Sequence, residues 1–140
     1  IAALGALWRG EAVTTRGEHV RLDDAICTPA PTTPPRIVVG VGGSRRTLER
    51  AVRYADELNL YSDPALFDDA REAVERSGRS VDLSVFLGWE FDKWPADVEG
   101  ELGRWAERGA GRALVNVGGD DMPDRIRRLA AASTGATQRP

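Results

Sequence analysis

Ile37-Val38-Val39-Gly40-Val41-Gly42-Gly43-Ser44-Arg45-Arg46-Thr47-Leu48-Glu49-Arg50-Ala51-Val52-Arg53-Tyr54-Ala55 holds the repeating structural unit of the chain. Arg36 to Val41 is a short run rich in β-branched residues and reads as a strand buried on both faces. Gly42-Gly43-Ser44 makes a turn, with Ser44 placed to cap the helix that follows. Leu48, Ala51, Val52 and Ala55 then fall at i, i+3, i+4 and i+7, the apolar stripe of a helix.

The unit recurs downstream. Leu58 to Tyr61 is a second strand, and Asp63-Pro64 is an N-cap with proline at the first helical position. Leu66, Ala70, Ala73 and Val74 share one helix face, and Gly78 suits the position just past its end. Val81 to Leu87 is a third strand. Pro95 is placed to open a third helix, with Val98, Leu102, Trp105 and Ala106 inward. Ala113 to Val117 is a fourth strand, and Asp121 with Pro123 opens a last helix through Ile126 and Leu129. Four βα units with short loops imply parallel pairing and right-handed crossovers. Element order alone leaves two architectures open: half of a (β/α)₈ barrel, or a small doubly wound open sheet.

Upstream the character differs. Ile1, Leu4 and Trp8 fall at i, i+3 and i+7, which reads as the end of a helix, so the chain is expected to be cut from something longer. Gly10 to Asp24 is polar and mixed and suits an irregular hairpin. Thr28-Pro29-Ala30-Pro31-Thr32-Thr33-Pro34-Pro35 is an extended connector, because proline lacks the donor that a helix interior or central strand requires. The expected organisation is therefore helix tail, hairpin and connector over 1–35, four βα units over 36–132, and a disordered tail over 133–140.

Composition sets the outer bounds. With 140 residues, 41% hydrophobic and 29% charged, the chain is globular in type and shorter than the roughly 250 residues of a whole barrel. A net charge of −3 argues against nucleic-acid and membrane-surface binding, and no apolar run approaches the roughly 20 residues of a membrane span. One cysteine, Cys27, cannot form an internal disulfide and suits a reducing cytoplasm. Lys93 is the one lysine among 19 basic residues, which with abundant Ala and Gly points to a high-GC bacterial source.

Gly42, Gly43, Ser44, Arg45, Arg46 and Thr47 are the candidate ligand-binding residues. Glycines let a backbone approach an anion, first-turn N–H groups are free donors, and two hydroxyls and two guanidinium groups lie alongside. The plain alternative is a tight turn with two surface arginines. The turn is not a dinucleotide fingerprint, because Arg45 stands where the third glycine belongs, and it lacks the Gly-Lys-Ser/Thr of a P-loop. Gly118-Gly119-Asp120-Asp121 is acidic and suits helix capping better than phosphate. His19 and Cys27 lack the partners that a metal or nucleophile site requires, and Asp23-Asp24 reads as a solvated loop. Trp89-Glu90-Phe91 follows the third strand, where aromatics line a pocket or cover a barrel mouth equally well. Trp105 reads as packing.

Gly17-Glu18-His19-Val20-Arg21-Leu22-Asp23-Asp24-Ala25, then Pro34-Pro35-Arg36-Ile37-Val38-Val39-Gly40, then Gly42 to Leu48, then Ala51-Val52-Arg53-Tyr54-Ala55-Asp56-Glu57-Leu58-Asn59-Leu60, together resemble the luciferase-like monooxygenase superfamily, most of all its coenzyme F420-dependent class. Val20 replaces an aromatic of that pattern, Val41 interrupts its glycine run, and Val52 replaces an Ala. Ser77 to Ser84 and Ala106 to Val117 resemble later segments more loosely.

The resemblance implies the C-terminal half of a TIM (β/α)₈ barrel, with these strands as the fifth to eighth and the cofactor across the C-terminal mouth. It implies that the Gly42–Thr47 turn meets the phosphate of coenzyme F420, or alternatively of FMN, and that hydride passes between the cofactor ring and a small organic substrate. Many ring-facing groups would come from the first four strands, so no catalytic residue and no metal ligand is assigned. The parent is expected to be an oxidoreductase or monooxygenase, and this portion alone is expected to be inactive. Its expected partner is the missing N-terminal half-barrel, or a second copy in a dimer. The non-enzymatic alternative is a half-barrel that binds a phosphorylated ligand.

Overall fold

The structure, a computed structural model, describes residues 1–89 and 93–136. It divides into two compact units, Ile1–Arg36 and Ile37–Pro140. The first holds helix α1 (Ala2–Trp8) and an antiparallel hairpin, β1 (Val13–Arg16) and β2 (Arg21–Ala25). The pairing shifts register between Val13 and Thr15, so β2 carries an extra residue there, and Asp24 takes φ 50°. This is a β-bulge. It places Asp23 and Asp24 within a strand, not in the solvated loop the sequence suggested, and Asp24 N donates to Thr14 Oγ1 at 2.9 Å. Arg9 Nε lies 2.6 Å from Glu11, and this hydrogen bond holds the Glu11 carboxyl below its ordinary range.

The second unit runs β3 (Val38–Val41), α2 (Arg45–Ala51), β4 (Glu57–Tyr61), α3 (Pro64–Ser77), β5 (Asp82–Trp89), α4 (Val98–Glu107), β6 (Arg112–Val117) and α5 (Met122–Ala136). The four strands pair in parallel in the order β3-β4-β5-β6. Strand order equals chain order, with no reversal. A doubly wound sheet needs a reversal to place helices on both faces. Right-handed crossovers without one put every helix on the same face. The architecture is therefore that of half a (β/α)₈ barrel.

Register assigns the two faces. Val39, Leu58 and Leu83 lie side by side, as do Val41, Leu60, Val85 and Ala113, and then Leu87 and Val115. These pack under the helices with Leu48, Phe67, Ala70 and Trp105. On the opposite face Gly40, Asn59, Ser84 and Arg112 form one row, and Tyr61, Phe86 and Leu114 the next. The expectation that the first strand is buried on both faces thus holds for one face: Val41 is 1% exposed and Val38 45%. No crossover helix reaches the second face, and β3 is an edge strand of the sheet.

Local signals explain the helix ends. Asp63 Oδ1 accepts from Ala65 N at 2.9 Å, and Gly78 ends α3 in the left-handed region at φ 66°. The third helix begins at Val98, not at Pro95: Asp97 Oδ1 accepts from Gly100 N at 2.9 Å and so fixes the start downstream. The last helix runs to Ala136, past residue 133 where the sequence suggested a tail, because Ala130-Ala131-Ala132 favours helix strongly. Residues 137–140 lie outside the described residues.

Phe67 is fully buried, with its ring centroid 5.6 Å from that of Trp105. Phe67→Ala is expected to destabilise the second unit by about 3–5 kcal/mol, read from the urea midpoint at unchanged slope. A loss under about 1 kcal/mol would show that α3 and α4 do not pack through this ring.

Candidate cofactor-phosphate site

β3 ends at Val41, and the chain reverses through Gly42 and Gly43 into α2. Tyr61, at the end of β4, decides the first of these residues: a Cβ at position 42 would stand 2.9 Å from Tyr61 Cε2. The second takes φ 115°, a conformation that favours glycine. Ser44 is extended at φ −96°, ψ 142°, and its Oγ accepts from Thr47 N at 3.3 Å while lying 2.9 Å from Thr47 Oγ1.

These bonds gather all six sequence-predicted residues into one exposed turn and sort their roles. Thr47 N is committed to Ser44, and the two hydroxyls engage each other. The N–H groups of Gly43, Ser44, Arg45 and Arg46 make no hydrogen bond among the described residues. Arg45 Nε lies 3.7 Å from Glu49, a weak exposed pair. Arg46 makes no ion pair among the described residues. Helix α2 is seven residues long, so its dipole spans about two turns and the turn's own donors dominate. Unpaired N–H groups in a glycine turn, with two arginines in the same segment, are residue types that could hold an anion.

A cavity of about 420 Å³ opens beside the turn on the helix-free face, lined by Gly40, Val41, Gly42, Asn59, Tyr61 and Phe86. Tyr61 and Phe86 meet edge to face, centroids 6.0 Å apart. Asn59 Nδ2 donates to Ser84 Oγ at 2.9 Å, and the Ser84 hydroxyl turns to Leu58 O. The sequence gives no hint of this cavity, because register alone brings Gly40, Asn59 and Ser84 together.

A second cluster also escaped sequence reading. Trp94 meets Trp89 edge to face at 5.5 Å, and Arg125 and Arg128 lie over its ring at 5.4 and 5.8 Å. The spacing of these arginines, i and i+3 on α5, sets both guanidinium groups on one helix face but does not name Trp94 as their partner. Trp89 is thus the last residue of β5, 6% exposed on the helix side, and does not follow the strand. Glu90 and Phe91 lie outside the described residues. Gly118 O accepts from Arg125 Nη1 at 2.7 Å. Asp121 does not cap α5 with its side chain: its carboxylate lies 2.7 Å from Arg125 Nε, whose N–H is not aligned for a hydrogen bond, so the contact is an ion pair. The neighbouring guanidinium outcompetes the backbone N–H for it.

His19 is exposed, 3.8 Å from Glu18, and Cys27 is a free thiol. Among the described residues no group of three or more His, Cys, Asp and Glu could hold a metal ion, and no helix is long and apolar enough to cross a membrane.

Fold and site together define a singly wound half-barrel with a candidate phosphate turn at the C-terminal end of its first strand. The sequence model described as luciferase-like monooxygenase matches residues 1–91, and the chain belongs to that family. It is 37% identical over 83 residues to an F420-dependent glucose-6-phosphate dehydrogenase of Nakamurella multipartita, a match covering 54% of this chain and 24% of that protein. Its fold superposes on an F420-dependent secondary alcohol dehydrogenase, solved with an F420–acetone adduct, at TM-score 0.70 and 14% identity, covering 91% of this chain and 58% of the other. The chain thus spans about a quarter of the first and just over half of the second.

Ser44→Ala is expected to cost about 1 kcal/mol through loss of the α2 cap, whereas Ser44→Asp retains the cap. Thermal unfolding of the two variants side by side checks this; equal midpoints would show that the Ser44 side chain does not hold the turn.

Proposed function

We propose that this chain is the C-terminal, cofactor-gripping half of an F420-dependent oxidoreductase that passes hydride between the deazaflavin and a small organic substrate in the cytoplasm. The observation that carries this reading is the set of four N–H groups from Gly43 to Arg46 that are unpaired among the described residues, with Arg46 itself making no ion pair among them, in a family whose matched relatives are F420-dependent. The donor set fits a phosphate. The backbone of Gly42 to Arg46 would surround it, Arg46 would supply charge, and Arg45 would swing from its weak pair with Glu49. Ser44 and Thr47 shape the turn through their mutual hydrogen bond. The cofactor supplies the hydride chemistry, and the protein binds and orients it.

The sheet ends at β3 and β6 and carries one helix-free face. A closed barrel of this type has eight strands. We infer that four further strands complete it, from an N-terminal half-barrel or from a second copy of this chain, and that this chain alone binds cofactor without turnover. Sedimentation of the purified chain tests the second source. A dimer is expected, and a strict monomer rules that source out.

Titration with F420, followed by cofactor fluorescence, tests the turn. Arg46→Ala is expected to weaken binding about tenfold or more, since a charge-assisted hydrogen bond contributes about 1.5–3 kcal/mol. Ser44→Asp keeps the cap but adds like charge, so it should weaken binding without lowering the thermal midpoint. Unchanged affinity in both variants removes the turn from the site. FMN binding tighter than F420 replaces the deazaflavin reading with that of an FMN-dependent monooxygenase. A phosphorylated ligand held without either chromophore would favour a non-catalytic binding module.

A further inference from the structure

Arg53, Arg76 and Arg79 come from three segments: the turn after α2, the last turn of α3 and the loop before β5. They line one cavity of about 520 Å³, within the range of small-molecule sites, floored by the buried side chains of Val52 and Ala73. Like charges gathered in one place repel, and a chain of net charge −3 has acids enough to pair them. Seven other arginines of the second unit do reach a carboxylate. The guanidinium groups of Arg53 and Arg76 make no ion pair and no hydrogen bond among the described residues. Glu49, the one carboxylate among the described lining residues, faces Arg45 at 3.7 Å.

Helix dipoles account for only part of this cluster. The C-terminal end of a helix carries about half a negative charge and favours a cation. α2 already has Arg50 in its last turn, and Arg79 Nη1 donates to Val52 O and, at 3.2 Å, to Ala55 O. At the end of α3, Ser77 Oγ donates to Val74 O at 2.7 Å and Gly78 N to Glu75 O at 3.2 Å. Arg53 is therefore surplus to α2, and Arg76 is not needed to satisfy those carbonyls. The bonds on Arg79 also hold it still, with its own N–H on Ser77 Oγ at 3.1 Å. Its Nε and Nη2 donate to nothing among the described residues. Set against Glu49 and two helix ends, the three arginines leave a positive balance of about one charge.

The place of this cavity separates it from the glycine turn. Val52 to Ala55 lead into β4 and Gly78 to Val81 into β5, so it lies at the N-terminal ends of the strands. The Gly42–Thr47 turn lies at their C-terminal ends, with the length of α2, about 10 Å, between the two. We propose that the cavity is a separate binding site for a small organic oxyanion, a phosphate ester or a dicarboxylate on a short carbon body. Guanidinium forks pair bidentately with either group. Arg53 and Arg76 supply the charge, the pinned Arg79 supplies a fixed fork, and Val52 and Ala73 seat the carbon body. This site stands on its own residues and does not depend on the deazaflavin reading above.

The test uses the double variant Arg53→Gln with Arg76→Gln, which alters two exposed side chains and breaks no bond among the described residues. Arg46→Ala, in the glycine turn, is the second variant. Wild type and variants are titrated with butyl phosphate and with glutarate at about 0.15 M salt, where loose attraction to exposed charge is screened. Binding is followed through backbone amide NMR shifts. In the wild type, at least one probe is expected to shift Val52, Arg53 and Ser77 to Arg79. The double variant is expected to bind that probe about tenfold more weakly or worse at those residues, and Arg46→Ala to bind it there as the wild type does. Tighter butyl phosphate assigns the site to phosphate esters, and tighter glutarate to dicarboxylates. No shift at those residues in the wild type, or equal affinity in the double variant, overturns the site. Loss of the shifts in Arg46→Ala overturns it as well, because the anion would then be held by the turn.

Discussion

A right-handed crossover leaves no choice about which side of a sheet its helix occupies. When parallel strands also follow one another in chain order, every crossover lands on the same side. Each strand of β3-β4-β5-β6 must therefore carry two different faces. Leu58, Leu60, Val85 and Leu87 are buried beneath helices at 0–1% exposure. The residues between them, Glu57, Asn59, Ser84 and Phe86, face the side where no helix arrives. Polar groups are tolerated there because they satisfy one another: Glu57 with Arg112 across the intervening strand, and Asn59 with Ser84. Burying Glu57 to 5% without its guanidinium partner would leave a desolvated carboxylate uncompensated, which is strongly unfavourable.

The same constraint frees the strand ends. With the core under one face, the loops at the C-terminal ends need not fill space, and their residues answer to local geometry. Gly42 is small because Tyr61 passes over it, and Gly43 because the turn needs positive φ. At the other end of the sheet, Ile37 N donates to Asp56 Oδ2 at 2.8 Å, and Asp56 N to Ile37 O at 2.9 Å. This clasp ties the start of β3 to the residue before β4. It supports the register that sets Gly40 beside Asn59.

What the sequence made legible follows from the range of each signal. Periodicity and caps act within a few residues, so the four helices and the turn at Ser44 could be read directly. Strand neighbour order is a long-range property, so the choice between half-barrel and doubly wound sheet stayed open until the family-like stretch from Gly17 to Leu60 weighed in. Alternation in Leu58-Asn59-Leu60 was visible, but a run so short also fits a strand buried on both sides. The Trp94–Arg125–Arg128 stack joins a loop to a helix about thirty residues on, and no local rule reaches that far.

Charge separates the turn from the cavity more sharply than position does. The two share Gly42, yet one offers unpaired N–H donors and guanidinium groups, and the other an aromatic wall and one amide acceptor. A ligand spanning both must be anionic at one end and neutral, with donors, a few bonds away. That is a stricter requirement than either feature imposes alone. An inorganic anion satisfies the first and wastes the second, and a neutral alcohol does the reverse. Under the function proposed above, the turn would hold the anionic end of the ligand, and the chemistry at its far end would fall to groups beyond β3–β6.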